Sequence, residues 1–103
     1  MQLRGKQKRF LRAHANQLQP IFAVGKNGLS PVWLSQLEGA LDRRELIKVN
    51  ILQNADVSTA DVKEYIEDNS DIQVVQTIGR VLVLFKPSKK TELRDLSRRV
   101  SKL

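Results

Sequence analysis

The chain has no cysteine, one histidine and only 5% aromatic residues in 103 positions. Without cysteine it has no disulfide framework, no thiolate metal site and no thiol nucleophile. That composition fits a reducing compartment, so a cytoplasmic location is expected. His14 alone cannot assemble the usual zinc ligand sets, and no metal or other cofactor is expected. So few rings make recognition dominated by aromatic stacking unexpected. Long apolar runs are missing too. The longest, Val81 to Phe85, is far shorter than the about 20 residues of a membrane-spanning helix. The basic start of the chain is not followed by an apolar stretch, so no secretory signal is expected. There is no nucleophile elbow and no Walker-type loop. Carboxylates cluster only around Asp61, Glu64, Glu67 and Asp68, which read as the solvated side of a helix. These absences point away from an enzyme, a membrane partner and a small-molecule substrate.

What the chain has in excess is positive charge. Net charge is +7 with an isoelectric point near 10.2, which calls for a polyanionic partner. The distribution is segregated. Residues 1–12 carry Arg4, Lys6, Lys8, Arg9 and Arg12 and no acid, and residues 86–103 carry seven basic side chains against two acids. Residues 56–71 reverse the sign, with six acids against Lys63. A chain that merely needed solubility would mix its signs; segregation suggests that one face meets a polyanion and another turns away, the alternative being chance clustering on solvated helices.

Hydrophobic residues make up 41% of the chain, enough for one folded domain. Residues 3–18 read as a helix, with Leu3, Phe10, Leu11, His14 and Leu18 on one stripe and the basic residues on the rest of the circumference. His14, within that stripe, is expected to pack rather than react. Pro20 closes the helical region. Ile21 to Val24 is a short strand, and Ser30-Pro31 is a helix start with an N-cap serine and proline at the first helical position. Trp33, Leu34, Leu37, Ala40 and Leu41 give that helix its apolar stripe, to about Arg44. Leu46 to Ile51 reads as a strand. Ser58 and Asp61 resemble a capping box ahead of a third helix with Val62, Tyr65 and Ile66 on its buried side. Ile72 to Ile78 and Val81 to Phe85, separated by Gly79-Arg80, read as a hairpin. Leu93, Leu96 and Val100 are spaced for a short helix in a basic tail, 87–103, beyond a domain at 1–86. The order α-β-α-β-α-β-β predicts a single α/β domain with a four-stranded mixed sheet.

Gly25-Lys26-Asn27-Gly28 is the distinctive local feature. Glycines can take positive φ and, lacking Cβ, let the backbone approach a phosphate. The loop precedes a helix N-terminus, whose N–H groups and dipole attract anions. Lys26 adds a charge and Asn27 two donors. The bare pattern often makes only a turn. Its position after a strand, before a capped helix and in a chain with a basic first helix favours a phosphate site. KH domains clamp single-stranded nucleic acid with such a loop, but between two helices rather than a strand and a helix.

Leu11-Arg12-Ala13-His14, Leu18-Gln19-Pro20 and Val24-Gly25-Lys26-Asn27-Gly28-Leu29 together resemble the CRM domain (chloroplast RNA splicing and ribosome maturation), in its bacterial single-domain YhbY-like form. Glu45-Leu46-Ile47-Lys48-Val49 and Gln76 to Phe85 extend the resemblance over residues 3–86. It implies the same α-β-α-β-α-β-β fold, similar to the C-terminal domain of bacterial translation initiation factor three. It also implies RNA binding and, for stand-alone bacterial members, association with precursors of the large ribosomal subunit. Two positions depart from the family. Arg44 stands where a histidine is frequent, keeping a donor and adding permanent charge. Phe85 stands where a tyrosine is frequent, removing a hydroxyl.

The expectation is a monomeric RNA-binding protein contacting ribosomal RNA by backbone and shape. Its candidate RNA-binding residues are Gly25, Lys26, Asn27, Gly28, Arg4, Lys6, Lys8, Arg9, Arg12, Arg44 and Lys48. Lys48 has an alternative as a solvent-facing strand residue, and Arg80 as a turn residue. The alternative function is a protein-interaction adaptor whose basic face docks an acidic partner.

Overall fold

A computed structural model describes residues 2–103. The elements are α1 (Gly5–Ala15), β1 (Phe22–Val24), α2 (Pro31–Arg44), β2 (Leu46–Ile51), α3 (Thr59–Asn69), β3 (Gln73–Ile78) and β4 (Val81–Phe85), then a 3-10 turn (Thr91–Leu93) and α4 (Asp95–Ser101). The strands form one sheet in the order β1-β2-β4-β3. β1 and β2 are parallel, joined through α2, whereas β4 is antiparallel to both β2 and β3. This is the mixed α/β sheet that the element order predicts.

Period-two alternation divides the core between the two faces of the sheet. Ile47, Val49 and Ile51 of β2, with Leu82 and Leu84 of β4, pack against Trp33, Leu34, Leu37 and Leu41 of α2 and Val62 and Ile66 of α3. Leu46, Val83 and Phe85 point the other way, into a second cluster with Leu11 and Ala15 of α1 and Val100 of α4. The acidic helix and the basic first helix therefore lie on opposite faces.

The local signals for α2 and α3 act as read. Ser30 Oγ accepts from the Trp33 amide at 3.1 Å, and Pro31 occupies the first turn. Ser58 Oγ accepts from the Asp61 amide at 3.0 Å, while the Ser58 amide donates to Asp61 Oδ2 at 2.9 Å. This capping box satisfies donors that the helix itself cannot.

The first helix differs from its sequence reading. It spans Gly5–Ala15 rather than 3–18, and its buried residues are Gln7, Leu11 and Ala15. Phe10, His14 and Leu18 are only half-buried. The cause is α4, which packs beside α1. Gln7 Nε2 donates to the Val100 carbonyl at 3.2 Å, so a polar side chain takes a buried place that hydropathy assigns to its apolar neighbours.

The segment 87–103, set apart in the sequence as a basic tail, packs into this second core. Its anchor is Glu45, buried and held at φ 63° between α2 and β2. The Glu45 carboxylate accepts from the Ser88 amide at 2.7 Å, the Ser97 amide at 3.1 Å and the Ser97 hydroxyl at 2.7 Å. A buried carboxylate requires such donors, and here all of them come from the segment 87–103.

Candidate functional site

The glycine loop is a tight turn in which the Gly28 amide donates to the Gly25 carbonyl at 3.0 Å. Gly28 has φ 68°, a conformation that favours glycine. Gly25 does not, and a Cβ there would only touch Leu52 Cδ1 at 3.6 Å. One glycine, rather than two, is thus required by backbone conformation. Both Lys26 and Asn27 are exposed at the tip. The turn is braced from both sides: Trp33 Nε1 donates to the Ala23 carbonyl at 2.9 Å, and the Leu52 amide donates to the Val24 carbonyl at 2.9 Å.

The start of α2 offers less to an anion than the sequence suggests. Pro31 has no N–H, the Trp33 amide is taken by Ser30 Oγ, and the Leu34 amide by the Ser30 carbonyl. In that first turn, Val32 alone keeps an amide without a protein acceptor among the described residues. The exposed tip residues Lys26 and Asn27 are therefore more open to an anion than the helix end is.

Arg80 lies at the same end of the sheet. Its Nε and Nη2 donate to the carbonyls of Ile51 at 3.2 Å and Leu52 at 2.8 Å. Its guanidinium thus fixes the chain after β2, against which the loop rests, in keeping with the turn role allowed for it.

The basic residues of the first helix occupy its outer surface. Lys6 and Arg9 are exposed, whereas Lys8 and Arg12 are half-buried. Arg4 is exposed but engaged, its Nη2 donating to the Leu103 carbonyl. None of these five forms an ion pair among the described residues. Beside them α4 presents Arg98, Arg99 and Lys102, all exposed, with the Arg99 guanidinium 5.3 Å above the Phe10 ring. The His14 ring is tilted against the same ring at 4.6 Å. The α4 cations were missing from the sequence-derived set. Their signal was the helical spacing of Leu93, Leu96 and Val100, but their position depends on the distant Glu45.

Lys48 projects onto the α1 side of the sheet, because it pairs with Val83 and alternates with Ile47 and Val49. It lines a shallow cavity with residues of the link that follows α1. Arg44 is placed elsewhere. It lies with Arg43 in the last turn of α2, beside Ile21 and Phe22. The loop precedes the first turn of this helix of 14 residues, about 20 Å away. The structure therefore groups the basic α1 surface with Lys48 and α4, places the loop at one end of the sheet, and separates Arg44 from the loop.

No group of three or more potential ligands is arranged to hold a metal among the described residues. No described helix is long and apolar enough to cross a membrane. The arrangement is a broad cationic surface beside a braced glycine turn with an exposed lysine and asparagine at its tip, chemistry suited to an extended polyanion.

Comparison with known proteins agrees with this description. The family model for the CRS1 / YhbY (CRM) domain matches residues 3–86. The probable RNA-binding protein YqeI of Bacillus subtilis is 49% identical over 94 residues, covering 91% of this chain and 98% of its own. An RNA-binding protein of Haemophilus influenzae is 38% identical over 91 residues, covering 86% and 90% respectively. The solution structure of SAV1595 from Staphylococcus aureus superposes with a TM-score of 0.67 at 41% identity, over 87% of this chain and 94% of that one.

Proposed function

The chain belongs to the CRS1 / YhbY (CRM) domain family, and on that premise we propose that it is a non-enzymatic RNA-binding protein of the cytoplasm. Its target is ribosomal RNA in precursors of the large subunit, and it acts as a monomer. The observation that carries the reading is the two-faced charge. Basic α1 and α4 share one face of the sheet, and acidic α3 lies on the other. A polyanion is drawn to the first face and repelled from the second. The names of the relatives support RNA as that polyanion. The ribosomal target rests on the resemblance to stand-alone bacterial members of the family.

In this reading phosphates lie along α1 and α4, and the glycine loop holds one further phosphate through Lys26, Asn27 and exposed backbone. Phosphate contacts position the protein without reading sequence. Filter binding to large-subunit ribosomal RNA tests the assignment. Lys26→Ala and Gly28→Asp should weaken binding while the circular dichroism spectrum stays native; wild-type affinity in both variants would remove the loop from the interface. RNase treatment of ribosomal particles should release the protein. Retention would favour an acidic protein as the partner of the basic face.

A further inference from the structure

One edge of the sheet face that carries α1 is left open. Ala23 pairs with Asn50, Asn50 with Val81, and Val81 with Ile78, a continuous row across all four strands. Alternation places this row on the same face as Val83 and Phe85, which α1 and α4 bury. The row itself is open: Ala23 is exposed, Ile78 is 52% exposed, and Asn50 and Val81 are half-buried. The link after α1 walls one side, making a cavity of about 320 Å³ lined by Asn16, Leu18, Pro20, Lys48, Ile78 and Val81 among others. That is near the lower limit for sites that hold a small organic group, about 300 Å³.

We propose that this cavity receives an unpaired nucleobase of the bound RNA. The inference rests on the RNA-binding reading above and deepens it. Three observations select a base. Much of the lining is aliphatic, with Ile78 and Val81 from the sheet and Leu18 and Pro20 from the link, and suits the apolar face of a ring. The lining also carries polar groups: Asn16 offers both donor and acceptor to a base edge, and Lys48 forms no ion pair among the described residues. The row also ends at Ala23, two residues before the glycine loop, while its walled side is continuous with α1. A strand whose phosphates lie on α1 and the loop passes its bases over this row. A paired, stacked base cannot enter, so the site selects single-stranded or looped RNA.

The test uses the full chain and three RNA probes of one length, about twelve nucleotides. These are a mixed-sequence single strand, the same strand with consecutive abasic sites, and a blunt duplex. Wild type should bind the intact strand about 5-fold more tightly than the abasic one. Ile78→Ser, at an exposed site, should abolish that preference while leaving affinity for the abasic strand unchanged. Lys26→Ala should weaken binding to both strands and preserve their ratio. Equal wild-type affinity for intact and abasic strands overturns the base site and leaves the RNA-binding reading standing. Absence of binding to all three overturns both. A wild-type dimer that becomes monomeric in Ile78→Ser assigns the patch to a second copy of the chain and also overturns the base site.

Discussion

Ser97 gives both its amide and its hydroxyl to the buried Glu45 carboxylate, at 3.1 and 2.7 Å. These two residues, 52 positions apart, join the C-terminal helix to the link between α2 and β2. Glu45→Ala leaves the amides of Ser88 and Ser97 without their acceptor and should cost about 3 kcal/mol in urea unfolding, because buried donors are expensive to leave unpaired. The same side chain sits at φ 63°, where any Cβ is strained. Glu45→Gly should therefore lose about 1 kcal/mol less than Glu45→Ala. Equal losses would mean that backbone strain contributes nothing there.

Gly28 makes a separable prediction. Its φ of 68° disfavours an L side chain, although a Cβ would meet no atom within 4 Å. Gly28→Ala should cost about 1 kcal/mol by strain alone, and Gly28→Asn less, because asparagine tolerates this region better. Equal stability of the two variants would contradict this account of the turn.

Acid should destabilise the fold through two carboxylates, half-buried Asp42 and exposed Asp61. The Lys89 amide, at 2.6 Å, holds the Asp42 carboxyl below the ordinary aspartate range. The Ser58 amide does the same for Asp61. As pH falls, the unfolded chain binds these protons first. The stability that both groups provide is thus complete above the ordinary aspartate pKa of about 3.9. It is lost as pH falls through the lowered native values. Urea midpoints followed from neutral to acidic pH should fall less steeply in Asp42→Asn and Asp61→Asn than in wild type. Parallel curves would deny both carboxylates this role.

The parts of the fold that were legible in the sequence are those set by local chemistry. Ser30-Pro31 and Ser58 with Asp61 mark helix starts because capping needs only residues within one turn. Leu46 to Ile51 and Val81 to Phe85 match their strands because β-rich runs and turn residues bound them. The burial of Gln7 was not legible, since it depends on the Val100 carbonyl almost the whole chain away. Nor was the place of α4, because its anchor Glu45 reads locally as another surface acid. Within the candidate site, the loop and the basic residues of α1 were visible as composition. The distance of Arg44 from the loop, the open row from Ala23 to Ile78 and the cations of α4 require the sheet order and the packing of distant segments.

Salt dependence separates phosphate contacts from the rest of the interface. Affinity for ribosomal RNA should fall linearly on a log–log plot against salt concentration, as counterions are released. Lys26→Ala should reduce that slope by about 1. An unchanged slope would mean that Lys26 meets no phosphate.

Crosslinking the protein to RNA in cells and sequencing the bound fragments reads the target of the basic face. Reads concentrated in one region of large-subunit precursor RNA are predicted, and they should diminish in a variant that combines Lys26→Ala with Arg9→Ala. Reads dominated by small-subunit or messenger RNA would rule out a large-subunit target.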